Sequence, residues 1–229
     1  VYSVQINRAN PVQQSAKLLK KDQFGEIWRV ASGEELLILR DTSTAFPLLG
    51  PAARWFMRRE ARALAALEGV SGVPHVARLD RDTLLRTYID GEPMQVSRPR
   101  DKRYFDTAMR LLRHLHRAGI THNDLAKEPN VLVQTDGSPA FIDFQLASYR
   151  PHRDRLFRLL AREDIRHLLK HKRTYCPDKL TRRERAILDS PSVPARIHRA
   201  TIKPVYLFVT RKLLGWADRE GAHDRGARQ

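Results

Sequence analysis

An α+β architecture in two parts, strand-rich first and helical second, is what this 229-residue sequence predicts. Three observations carry it. Short apolar runs separated by polar turns fill residues 12–38, the pattern of strands. Apolar residues recur at three- and four-residue steps from Lys102 to Arg117, the period of a helix with one buried face. The change of pattern falls near residues 88–91, with no repeat or low-complexity linker on either side. The expectation is therefore a single bilobal domain spanning 1–229: a strand-rich lobe over about 1–88, a hinge at 88–91 and a helical lobe over 92–229.

The elements follow in order. Residues 15–19 and 26–30 read as strands flanking the polar stretch Lys20-Lys21-Asp22-Gln23-Phe24-Gly25. A third apolar run, 36–39, follows the turn at Ser32-Gly33. Pro51 sits near the start of a helix over 52–68 that stops before Gly69. Strands at 76–79 and 84–88 enclose the polar turn 80–82. Asp101 is placed to cap the helix 102–117, whose Phe105, Ala108, Leu112 and Leu115 share a face and which Gly119 ends. Residues 130–133 and 140–142 form a hairpin around Asp136-Gly137. Everything from Arg153 reads as helix, interrupted at Pro177, Pro191, Pro194 and Pro204.

At 41% hydrophobic residues the chain can bury a sizeable core. No run of eighteen apolar residues exists, so no membrane span is expected. Residues 1–8 lack the pattern of a secretory signal, and Cys176 has no internal disulfide partner. A cytoplasmic location follows as the expectation, with peripheral contact at the inner membrane compatible with it. The 42 Lys and Arg outnumber the 26 Asp and Glu, a formal charge of +16 that favours anionic partners.

The most informative stretch is His122-Asn123-Asp124-Leu125-Ala126-Lys127-Glu128-Pro129-Asn130, followed by Ile142-Asp143-Phe144. Phosphoryl transfer needs a carboxylate to take the proton of an attacking hydroxyl. It also needs oxygen ligands for a magnesium ion that neutralises the transferring phosphate. Asp124, Asn130 and Asp143 supply these in order. Two further charged residues fall on apolar faces. Glu60 lines up with Phe56, Leu64 and Leu67 on helix 52–68, which calls for a buried cation. Arg40 shares a strand face with Leu36 and Ile38 and is the candidate partner. Asp164 lines up with Leu160 and Leu168, either to anchor backbone amides of the active loop or to pair with a neighbouring arginine.

These residues resemble the protein-kinase-like superfamily, in its atypical bacterial branch of RIO-type and lipopolysaccharide core kinases, over residues 14–172. The resemblance implies ATP and Mg2+ as cofactors. It makes Asp124 the catalytic base, Asn130 and Asp143 the metal ligands, and His122 with Asp164 the support of the active loop. Gly25, Arg40, Glu60 and Tyr88 become nucleotide-binding residues, Tyr88 in the hinge. The spacing from Asp124 to Asn130 is six residues where the usual motif has about five. That extra residue re-aims Lys127 toward the γ-phosphate, as a second catalytic residue. Gln145 replaces the glycine after Asp143-Phe144, Gly25 is the lone glycine of its loop, and Arg40 stands where a lysine is usual. No long activation segment follows. The implied function is a RIO-like Ser/Thr protein kinase acting on a hydroxyl. The alternatives are a lipopolysaccharide core sugar kinase, and a pseudokinase that binds nucleotide, RNA or membrane without chemistry.

Arg158, Arg162, Arg166 and Lys170 recur every fourth residue, a basic helix face suited to an anionic acceptor, RNA or a membrane surface. His167 and His171 have zinc spacing but no third ligand, and read as surface histidines. Cys176 reads as a packing residue. The apolar stretch 204–216, with Trp216 and two cations, packs on the helical lobe or lies on a membrane, and 218–229 is a polar tail.

Overall fold

The computed structural model describes residues 16–33 and 35–190. The prolines at 191, 194 and 204, the apolar stretch 204–216 and the tail 218–229 lie outside the described residues. The first part is an antiparallel sheet built from β1 (Lys17–Asp22), β2 (Gly25–Ser32), β3 (Glu35–Asp41), β4 (Val76–Leu79) and β5 (Thr83–Thr87), in the order β1-β2-β3-β5-β4. The stretch expected to be a loop at 20–25 is mostly strand: Lys20 and Lys21 pair with Ile27 and Glu26. Lys21 is exposed, and its Nζ meets Glu26 Oε1 at 2.8 Å across the ladder. Only Gln23 and Phe24 turn the chain, with Asp22 Oδ1 accepting from the Phe24 amide at 2.8 Å.

Helix α1 (Gly50–Ala65) follows a 3-10 turn at Pro47–Leu49 and has Pro51 in its first turn, where a missing N–H costs nothing. It ends three residues short of the expected boundary, and the chain turns on to Gly69 at φ 78°. Met57 and Ala61 pack on Leu84 of the sheet, while Ala63, Leu64 and Leu67 enter the core of the helical part. One helix therefore serves both parts.

After β5 come β6 (Glu92–Pro93), the short α2 (Met94–Ser97) and α3 (Lys102–Arg117). Asp101 caps α3 as its sequence predicts, accepting from the Arg103 amide at 2.8 Å. Gly119 then turns at φ 77°, where a Cβ would lie 2.8 Å from the Arg150 carbonyl. The loop region is framed by β7 (Ile120–Thr121), which pairs with β10 (Ser148–Tyr149), and by the hairpin of β8 (Val131–Val133) and β9 (Pro139–Phe141). Helices α4 (Arg155–Tyr175) and α5 (Arg182–Asp189) close the described chain. Leu112, Leu115, Ile120, Leu125, Phe141 and Phe144 are fully buried in one core, each stabilising the fold by about 1.5–3 kcal/mol. The described strands and helices belong to one compact unit ending at Asp189. No helix among the described residues is long and apolar enough to cross a membrane.

Two expectations for α4 are corrected. Its basic residues do not form one exposed ridge: Arg158 and Arg162 are exposed, but Arg166 is buried. The Arg166 guanidinium donates to the carbonyls of Ile187 and Leu188, 3.1 Å each, and so caps the carboxyl end of α5. Of the two histidines, His171 is not a surface residue and His167 is half-buried. His171 is buried and donates through Nε2 to the Leu125 carbonyl at 2.7 Å. Burial pushes the His167 ring down to about 4. Lys172, only 2% exposed, reaches Glu184 Oε1 at 2.7 Å and ties α4 to α5. Cys176 is buried, as a packing residue should be.

Candidate active site

The stretch after β7 is held from three sides. Asp164, 2% exposed on α4, accepts from the His122 amide through Oδ2 and from the Asn123 amide through Oδ1, 2.8 Å each. Of its two candidate roles, the amide anchor is the one present. His116 Nε2 lies 3.3 Å from the same Asp164 Oδ2. His122 bridges to the segment entering Asp143: Nε2 donates to the Ile142 carbonyl at 3.0 Å, and Nδ1 accepts from the Asp124 amide at 3.3 Å. Its ring packs on Phe144 with centroids 4.6 Å apart. His171 holds the loop one residue beyond Asp124. Asn123 takes the left-handed conformation at φ 67°, one that asparagine tolerates better than most residues.

Asp124 projects from this frame. The Asn130 Nδ2 group donates to the Asp124 carbonyl at 3.0 Å and to its Oδ2 at 2.9 Å. Both partners are acceptors, so the amide nitrogen must face them and the Asn130 side-chain oxygen is left for another ligand. Lys127 Nζ stands 3.0 Å from the same Asp124 Oδ2 while its side chain remains 62% exposed. Burial raises the Asp124 carboxyl above its ordinary value, against the opposing pull of Lys127, and the Asp143 charge adds to the rise.

Asp143 behaves oppositely. Burial pushes it up, but Arg40, Lys127 and Arg86 outweigh burial and leave it below the ordinary carboxylate range. It sits at φ 65°, ψ 67°. Gln145 Nε2 donates to its Oδ1 at 2.7 Å, so the residue in the expected glycine position orients the carboxylate. Glu60, wholly buried, meets Arg40 Nε at 3.5 Å and Arg86 Nε at 3.1 Å. The Arg40–Glu60 pair is the one the sequence predicts; Arg86 is an addition. Neither contact has hydrogen-bond alignment, and both carboxylate oxygens of Glu60 and both Nε atoms lack a hydrogen bond. The charges of Arg40, Arg86 and Lys127 balance those of Glu60, Asp124 and Asp143.

A second clamp holds the segment beyond Gln145. Arg59 on α1 donates to the carbonyls of Ala147 at 2.6 Å and Leu146 at 2.9 Å, and to Ser148 Oγ at 2.9 Å. From the other side Asn123 Nδ2 donates to Leu146 O at 2.7 Å and Ser148 Oγ at 2.9 Å. Two residues are placed less directly. Gly25, at φ +118°, is buried where a Cβ would fall 2.1 Å from the Asp41 carbonyl, so strand contact explains this glycine without any phosphate. Phe24, at the hairpin tip, packs edge-on against Phe56 of α1 at 5.9 Å. The Tyr88 amide donates to Leu36 O at 2.9 Å, and its ring lies under the Arg29 guanidinium at 5.8 Å.

Sequence reasoning missed Arg59, Arg86, Asn123, Gln145 and His171. For Arg86 a signal existed: an arginine two residues from Leu84, on the same strand face. His171 shares the helix face of Asp164 and Leu168. The donor set suits magnesium, since it offers an ionised carboxylate at Asp143 and an amide oxygen at Asn130, both hard oxygen ligands. No protein-family profile matches the chain, and no curated protein matches it in sequence.

Proposed function

We propose that the chain is an ATP- and Mg2+-dependent phosphotransferase with a bilobal, protein-kinase-like fold, acting as a RIO-like Ser/Thr kinase on a hydroxyl acceptor. One observation supports this most: Asp124, Lys127 and Asn130 in mutual contact, with an ionised Asp143 close enough to raise Asp124. A base needs a carboxylate that binds a proton more readily than an ordinary one, and a metal ligand needs one that stays ionised. The two aspartates divide these roles.

The Asp124 carboxylate, whose Oδ2 is engaged by Asn130 and Lys127, accepts the acceptor hydroxyl's proton as that oxygen bonds to the γ-phosphorus. In the same step the bond from the γ-phosphorus to the β,γ-bridging oxygen breaks and ADP leaves. Asn130 fixes the carboxylate through its amide, and Lys127, exposed and 3.0 Å away, adds a positive charge beside the transferring group. Asp143 and Asn130 are the residues to hold magnesium, which when bound neutralises and orients the phosphates. Arg40 and Arg86, held by Glu60, carry donors suited to the nucleotide phosphates, a task the hairpin at Gly25 is not built for.

Asp124→Asn should lower phosphoryl transfer by about 10²- to 10⁴-fold. Its thermal shift with Mg-ATP should stay close to that of the wild type. Unchanged turnover overturns the assignment of the base; absence of a Mg-ATP shift in the wild type overturns the nucleotide reading. Assaying protein and phosphosugar acceptors side by side separates the Ser/Thr kinase from the lipopolysaccharide core sugar kinase.

A further inference from the structure

A groove of about 400 Å³ lies between α3 and the first half of α4, and none of its lining residues touches reactant in the mechanism above. Its rim carries Arg113 and Arg117 from α3 with Arg153, Arg158 and Arg162 from α4 and its approach, and no acidic residue lines it. None of these five guanidinium groups makes a hydrogen bond or ion pair with another described residue. Its floor is apolar: Phe157, Ala161, Ile165 and Ile187. Beside it, the exposed face of α4 continues through Arg155 to Leu159 and Leu156, which are 37% and 45% exposed.

We propose that this groove and the adjoining face of α4 dock on the surface of an anionic phospholipid bilayer, a headgroup phosphate seating among the arginines.

Five like charges around one groove repel one another until an anion lies between them. Residues 191–229 have eight Lys and Arg against three Asp and Glu, and residues 1–15 have one Arg and no acidic residue, so neither segment has the sign of charge to fill the groove. Single-stranded RNA would ask for exposed rings on which bases stack. Besides His116 the groove's aromatic residue is Phe157, and that is 4% exposed. Exposed leucines alternating with arginines along one helix instead match the boundary between headgroups and acyl chains. This reading stands independently of the chemistry at Asp124.

The test is co-sedimentation of the full chain with vesicles of phosphatidylcholine alone and with phosphatidylglycerol added, at low and high salt. Binding is expected on the anionic vesicles only, weakening with salt. Arg158→Ala with Arg162→Ala should lower the partition coefficient about 25-fold, taking about fivefold per arginine. Leu156→Ser with Leu159→Ser should lower it as well; all four sites are solvent-facing, and circular dichroism checks the fold. Equal binding to both vesicle types overturns the proposal, as does wild-type binding by the arginine variant. If the leucine variant binds normally and glycerol phosphate displaces the protein, the ligand is a soluble phosphate instead. If it binds normally and single-stranded RNA displaces the protein, the surface is a nucleic-acid site; either result also overturns the membrane reading.

Discussion

Asp124 is held between two opposing influences, burial that raises its carboxyl and the Lys127 ammonium that lowers it. Removing the ammonium takes away the largest influence opposing burial. The acid limb of kcat/KM for Lys127→Met should therefore lie at higher pH than the wild-type limb, read from a pH–rate profile. An unmoved limb would mean that Lys127 is not the counter-charge of Asp124. The stability signs differ between the aspartates. Asp124, raised from 3.8, favours the fold when protonated, an advantage present below 3.8 and lost as pH climbs through its higher folded value. Asp143, lowered from 3.8, favours the fold when ionised, an advantage present above 3.8 and lost as pH falls. The order Asp124, Asn130, Asp143 was legible because chemistry confines it to few arrangements. Gln145 was not, because its value lies in a 2.7 Å bond to Asp143 that goes with the left-handed conformation of Asp143 itself.

Helix α1 shows what periodicity can and cannot say. The steps of three and four residues placed Glu60 on the buried face and made a cation necessary. They could not count the cations, because a period identifies a face and not the strands opposite it. Arg40 arrives from β3 and Arg86 from β5, neighbouring strands of one sheet. Glu60→Gln should cost about 3–5 kcal/mol in denaturant unfolding, since two buried guanidinium groups lose the carboxylate that both of them meet. A loss below about 1 kcal/mol would mean that water already screens the trio. The same limit explains α4. Spacing aligned Arg158, Arg162 and Arg166 on one side, but α5 covers the end of that side and converts Arg166 from a surface charge into a cap.

At the scale of the molecule, the division into a strand-rich and a helical part was legible from the change of period near residue 88. The degree to which the parts interlock was not. Ala63 and Leu64 of α1, with Leu67 just beyond it, belong to the helical core, so the sequence boundary is not a boundary in packing. Arg59 carries this furthest. Its bonds reach 87 to 89 residues along the chain, and a loop of that length must close before any of them forms. Contacts of such sequence separation come after the transition state unless they belong to the folding nucleus. Arg59→Ala should therefore leave the refolding arm of a chevron plot in place and speed unfolding; a slowed refolding arm would put this residue in the nucleus. The last bonds to form are then also the first to open, and the lifetime of the folded protein is governed at the seam where α1 grips the segment beyond Gln145.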